Sequence, residues 1–462
     1  MNFPGVAIGR VRAYRTGKRH ARRGTRADSL RAVFAGRRGR LLIGLLLAEF
    51  AAAVQVVAYS AVLPIASRDL GGERLYGATV AAGSLVTVFV LAFAPALLGR
   101  LPPRRALIWA TGLYAVGVLA AASAPAMGWV LAGSLLRGAA SGLLLGIGLT
   151  AIGGLYEDAL RPRVLGLFAI MWLLPSFAGP ALTSVVAVAA GWRWAMAWPI
   201  VVVLAARLLV VRDADLIPWQ PSTSRLAPGP GLATVAGLLL AALTSGLGGV
   251  ASAVGFAAGL GLAIVAGRRV LAGLLPAPAR FEVVRTFALL CLVFFGGLTL
   301  VPLLVVEGLD RGVVASGVAL GAGLVAWSLT GLRTPRLNDP ARLGLVLLVL
   351  ALAALATAPA YGPVVGLGVV VVGFAVAGAG MGLAYPRLMS QAFDALPVGA
   401  AAGVAAAVGF AEVAGTAVGS LLGGGLYSLG ESVDIAAGPS MSAALALLTG
   451  AAALAWRRSA VA

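Results

Sequence analysis

Apolar runs of about 20 residues recur from residue 41 to residue 456, separated by short polar punctuation. At 1.5 Å per residue, such a run crosses the ~30 Å hydrocarbon core of a bilayer as a helix. The runs are continuous rather than alternating, so they do not read as strands of a membrane barrel. The pattern predicts helices over 41–66, 75–98, 105–124, 127–153, 163–190 and 194–211. A second group of two falls at 232–249 and 250–267. Read as one helix this pair would run about 55 Å, too long for the bilayer, so it divides at Gly248-Gly249. A third group falls at 286–306, 313–332, 343–359, 363–385, 398–423 and 441–456. The expected fold is an all-α polytopic membrane protein with 14 spans, grouped as six, two and six.

The groups set the domain boundaries. Residues 1–40 form a basic tail, 41–211 a first bundle of six helices, 212–285 a linker carrying the extra pair, and 286–462 a second bundle of six. The stretch RDADLIPWQPSTSRLAPGPG (212–231) holds four prolines and has the composition of a linker. The apolar run from Leu41 passes Ala53 and continues to Ile65, longer than the core of a signal peptide, so it reads as a first spanning helix.

Composition agrees with this reading. Of 462 residues 60% are hydrophobic and 11% charged, with a mean hydropathy of +1.00. The net charge of +19 first suggests nucleic acid. Its placement argues otherwise. About a dozen basic residues lie before residue 41, in a tail with no folded nucleic-acid-binding module. With the N-terminus inside, the inner loops collect most Lys and Arg, and the outer loops hold only Arg68, Arg74, Arg193 and Arg311. That asymmetry predicts cytoplasmic N- and C-termini and a tail facing anionic lipid. Cys291 is the only cysteine and His20 the only histidine. Disulfide frameworks, cysteine metal sites, histidine triads and histidine proton relays are thereby excluded, and with them most intramembrane hydrolases. The adjacent Glu157 and Asp158 read as a solvated charge pair rather than a metal site. No cofactor, metal or nucleic-acid partner is expected.

Ionisable residues at membrane depth are costly and mark cavities or partners. Glu49 lies about 12 Å into the first helix and Arg137 about 15 Å into the fourth from the other side, which predicts a pair between them. Glu412 shares a face with Gly415, Gly419 and Gly423, whose spacing marks a packed helix face. No arginine is evident at its depth, so Glu412 is the expected carrier of a proton. Gln55 and Tyr59, one turn apart, with Trp172 and Trp327, are candidates to line a substrate pocket at mid-membrane. An aromatic, weakly polar lining suits an amphiphilic organic solute. Gly138, Gly142 and Gly146, and Gly378 and Gly382, read as helix-packing ridges.

Three local stretches carry a resemblance. LGRLPPRRA (98–106) retains Arg100, Arg104 and Arg105 of a basic loop between the second and third helices. WLLPSFAGPALTS (172–184) centres on Gly179-Pro180, with Pro175 upstream, and GWRW (191–194) opens the sixth helix. In this order and topology the chain resembles the major facilitator superfamily, and its extra central pair resembles the 14-span drug:proton antiporter branch. The resemblance implies alternating access between two bundles, with Pro175, Gly179, Pro180, Arg100, Arg104 and Arg105 in gating roles. Arg137, followed by Ser141 and Gly142, stands near the family's fourth-helix arginine. The chain also departs from the pattern. Gly99 replaces the Asp that latches the basic loop, Pro102 a glycine, and Gln55 the first-helix Asp upstream of Leu63-Pro64. The expected function is a plasma-membrane secondary transporter, acting as a monomer in the bilayer, that exports an organic drug-like compound or metabolite against protons. The alternatives are a proton-independent uniporter or importer, and a non-transporting sensor or assembly protein on the same scaffold.

Overall fold

A computed structural model describes residues 34–71, 75–156, 160–219, 228–245, 249–311, 313–332, 339–397, 400–432 and 437–459. Among these residues every regular element is helical. The first group comprises α1 (Gly36–Asp69), α2 (Tyr76–Leu98), α3 (Pro103–Ala122), α4 (Met127–Leu155), α5 (Arg161–Met171), α6 (Leu173–Ala190), α7 (Trp192–Ala197) and α8 (Pro199–Arg212). The pair is α9 (Pro228–Thr244) and α10 (Gly249–Leu274). The last group is α11 (Pro278–Leu303), α12 (Val313–Leu332), α13 (Pro340–Thr357), α14 (Gly362–Ala392), α15 (Ala401–Ser432) and α16 (Ala437–Ser459). Eleven stretches of the described residues are long and apolar enough to cross a bilayer, and Gly229–Thr244 is a shorter apolar helix. The chain is a multi-pass membrane protein.

The helix ends follow from local chemistry. Proline opens α3, α8 and α13, where the missing N–H costs nothing. Asp339 caps α13 by accepting from the Arg342 backbone N–H at 3.0 Å. Gly191, at φ +88°, turns the chain between α6 and α7, a conformation that a side chain would strain. The sequence pattern predicts one helix over 163–190. The structure has two, broken at Trp172. The cause lies one turn on: Pro175 has no N–H for the Met171 carbonyl, and its ring crowds that carbonyl. Pro180 produces no such break, and α6 runs through it.

Packing repeats across the molecule. In the first group α4 lies against α2 and α3, with Gly138 on the Gly83 backbone and Gly133 on the Gly117 carbonyl. In the last group α14 lies in the same way against α12 and α13, with Gly378 on Gly323 and Gly380 on Gly344. Lipid gives helices no hydrophobic reason to associate, so close backbone approach at small residues supplies the attraction. The glycine ridges therefore serve the packing that the sequence suggests. The pair α9–α10 closes on itself through Gly237 and Gly259 and lies against α2 and α15.

The two groups, called halves below, meet chiefly at one end. Gly409 of α15 sits on Leu91 and Leu145. Gly166 of α5 sits on the Gly331 carbonyl of α12, and Gly153 of α4 on the Phe393 ring. This latched end carries the α2–α3 turn and the α4–α5 connection. Toward the other end, α6 has few contacts with the second half and exposes Leu182, Val185 and Val188.

Candidate functional site

Two carboxylates from different halves define the site, and each holds an aromatic hydrogen-bond donor. On α15, Glu412 Oε1 accepts from the Tyr385 hydroxyl of α14 at 2.7 Å. The Tyr385 ring packs on Phe287 at 5.1 Å and on Trp327 at 5.8 Å. Trp327 meets Phe294 and Phe295 edge-on, at 5.2 and 6.1 Å. On α1, Glu49 Oε1 accepts from the Trp172 indole N–H at 2.7 Å. Arg207 of α8 is the cation whose charge acts on Glu49, and Glu49 and Glu412 act on one another across the interface. The small-residue face of α15 packs on α11, with Gly415 against Ala288, Gly419 against Leu292 and Gly423 against Leu300. Glu412 therefore stands among protein helices, and α15 carries it between α11 and α14.

Arg137 lies elsewhere. Its guanidinium stacks 3.6 Å over the Tyr59 ring and donates to Ser134 Oγ at 3.2 Å. The Tyr59 and Ser134 hydroxyls share a 2.5 Å hydrogen bond. The expected Glu49–Arg137 pair is therefore not formed in this structure. Tyr59 stands ten residues beyond Glu49 on α1, about 15 Å along its axis. Gln55 donates to the Met196 carbonyl at 3.1 Å. At 1% and 8% exposure, Gln55 and Tyr59 are absorbed in packing within the first half. The structure does not bring them to Trp172 and Trp327, which stand with the carboxylates instead.

The expected gating residues divide. Pro175 is buried and sets the α5–α6 break. Gly179 and Pro180 lie inside α6, and their surroundings fall outside the described residues, as do Glu157 and Asp158. Arg100, Arg104 and Arg105 are exposed around the α2–α3 turn. A buried arginine that the sequence reading passed over ties the halves instead. Arg161, 4% exposed, pairs with Asp394 at 3.2 Å and donates to the Ser390 carbonyl at 3.3 Å. It also donates to the Gly153 and Tyr156 carbonyls, at 3.2 and 3.0 Å. One guanidinium thus satisfies carbonyls at the ends of α4 and α14. A signal for it did exist: a cation opening a helix opposes the helix dipole and so needs acceptors elsewhere.

Two further charge clusters are structural. In the GWRW stretch, Trp192 donates to Asp69 Oδ2 at 2.8 Å, while Arg193 reaches Asp69 at 3.4 Å and the Ala124 carbonyl at 3.1 Å. This joins α1, α3 and α7. Just past α8, Asp213 accepts from Arg37 at 2.9 Å and Arg40 at 3.2 Å, and Asp215 accepts from Arg37 at 2.6 Å. The Arg40 and Arg37 hydrogen bonds hold the Asp213 carboxyl below its usual range, and Arg37 does the same for Asp215.

The family model described as Major Facilitator Superfamily matches residues 45–420. A "Probable multidrug-efflux transporter" of Mycobacterium tuberculosis (strain H37Rv) is 29% identical over 167 residues, 36% of this chain and 34% of that protein. "Efflux pump dotC" of Dothistroma septosporum is 27% identical over 156 residues, 33% of this chain and 26% of that protein. The chain thus spans about a third or less of the length of these curated relatives. Among solved structures, the human organic anion transporter MFSD10 aligns with a TM-score of 0.66 at 14% identity, over 90% of this chain and 100% of that one. A bacterial homologue of the iron transporter ferroportin, in an outward-facing state, aligns at 0.66 and 15%, over 92% and 100%. The proton:xylose symporter XylE aligns at 0.59 and 13%, over 90% and 95%. These likenesses show the fold.

Proposed function

Because the chain belongs to the major facilitator superfamily, whose members are transporters rather than enzymes, we propose that it is a secondary active transporter that exports an organic, drug-like compound or metabolite in exchange for protons. In this reading the chain crosses the plasma membrane 14 times, as two six-helix bundles and a central pair, with both termini cytoplasmic. It works as a monomer. The latched end faces the cytoplasm, where the positive-inside rule places the basic α2–α3 turn. The efflux names of the curated relatives support the outward direction.

One observation carries the reading. Glu49 and Glu412 come from opposite halves, and each is bonded by an aromatic donor, as suits a coupling site where two halves meet. An acid at such a place can exchange its proton for a substrate group as the halves rock. Trp172, Trp327 and Tyr385 supply the aromatic walls. Gln55, Tyr59 and Arg137 support the first half and do not take part in the binding reading.

Flux into proteoliposomes tests it. A pH gradient should drive uptake of an organic substrate found by screening cationic, neutral and anionic compounds. Glu412→Gln should abolish gradient-driven uptake and spare substrate-for-substrate exchange. Gradient-driven uptake that survives in Glu412→Gln sinks the assignment of the carrier. Flux indifferent to a protonophore favours a uniporter, and no flux for any compound favours a sensor.

A further inference from the structure

Helix α5 belongs to the first half by sequence but packs more on α12 and α14 of the second half than on α4 or α6. Its latched end is held by Arg161, through Asp394 and the Ser390 carbonyl. Along its length Gly166 sits against the Gly331 carbonyl. Its other end stops at Trp172, where Pro175 leaves the Met171 carbonyl without a helical donor. A proline-broken joint of this kind bends at little cost. At that joint the Trp172 indole donates to Glu49 of α1. One short helix therefore has a hinge fastened to a half-buried carboxylate and a tip fastened to the opposite half.

We propose that Trp172 is a positioning residue that couples the proton on Glu49 to the Arg161–Asp394 latch, with α5 as the lever between them. The proposal rests on the proton-exchange reading above. An indole N–H bonded to a carboxylate is charge-assisted, and protonating the acid leaves a neutral bond about half as strong. The ionised form holds the hinge against α1; the protonated form loosens that hold, so that α5 can turn at the joint and shift the tip on which the Arg161–Asp394 latch sits. The groups facing Glu49 are Trp172 at the joint, Arg207 from α8, and across the interface Glu412 of α15 and Tyr385 of α14.

A single reporter thiol tests this without any substrate. Ala392 of α14 is 1% exposed, beside the Phe393 that covers Gly153. In a Cys291→Ser, Ala392→Cys background in nanodiscs, a membrane-impermeant maleimide should label residue 392 faster at low pH. The expected rise as Glu49 takes up its proton is about threefold to tenfold, the half of a charge-assisted hydrogen bond that protonation removes, with rates normalised to the unfolded protein at each pH. Glu49→Gln should label fast at every pH. Trp172→Phe, which keeps an aromatic ring but loses the donor, should also label fast with the pH response gone. Asp394→Asn and Arg161→Lys should raise the rate while keeping the pH response, because they release the tip and not the hinge. A Trp172→Phe protein that keeps the wild-type pH response overturns the proposal, whether its rate rises or not, and so does a Glu49→Gln protein that keeps it. Because labelling needs no transport, failure here is distinct from failure of the exchange reading.

Discussion

At the residue scale, the Tyr385–Glu412 bond separates chemistry from packing. Tyr385→Phe keeps the ring contacts with Phe287 and Trp327 and removes only the 2.7 Å hydrogen bond. A hydrogen bond to a charged group contributes about 1.5–3 kcal/mol, so gradient-driven flux should fall about tenfold or more while the melting temperature falls by only a few degrees. A large loss of melting temperature would instead make Tyr385 a packing residue. Asp213 makes the complementary case. Its side chain is 3% exposed, and Arg40 and Arg37 hold its carboxyl below the usual range. A carboxyl lowered in the fold contributes stability above its unfolded pKa of about 3.9, and that contribution is lost as pH falls through the lower folded value. The melting temperature of Asp213→Asn should therefore lie below wild type at neutral pH. The gap should narrow below about pH 4, as read by thermal unfolding in detergent. A gap that persists in acid would mean that the arginines do not act through the carboxylate's charge.

At the element scale, the glycine crossings set how tightly helices approach. Gly138 faces the Gly83 backbone, which cannot turn aside as a side chain can. Gly138→Val should cost about 1–3 kcal/mol by overpacking. Gly148→Val, on the same helix but with open space where its Cβ would go, should cost much less. Equal losses of stability in detergent would assign the effect to helix propensity alone. Elements were also what the sequence disclosed best. Apolar runs located the helices because period and length are local properties, but the same pattern carried one helix over 163–190 through Pro175, where the structure breaks it at Trp172. Partners were harder to read. Residue counting gives a position along the axis and carries no bearing around it. Glu49 and Arg137 thus read as neighbours, while Arg137 went to Tyr59 and Glu49 to Trp172. Glu412 was legible as facing protein because the glycines on its face announced a neighbouring helix, but Tyr385 comes from another helix 27 residues away and left no local mark.

At the scale of the whole molecule, the absence of an Asp at position 99 acquires a meaning. The resemblance expects a carboxylate there to hold the basic α2–α3 turn, and Arg100, Arg104 and Arg105 stand exposed without one. The latched end is closed by other means: Arg161 with Asp394 on one side, and α15 laid on α2 and α4 on the other. Alternating access requires both to part in each cycle. The α15 side can be locked without touching either carboxylate. A Cβ at Gly409 lies against the Leu145 side chain, within the reach of a disulfide after small adjustment. Leu145→Cys with Gly409→Cys, in a Cys291→Ser background, should cross-link on oxidation and stop substrate flux in proteoliposomes. A reductant should restore it, and neither single variant should respond to oxidant. Undiminished flux through fully cross-linked protein would mean that α4 and α15 stay together throughout the cycle, and that the halves part only along α5.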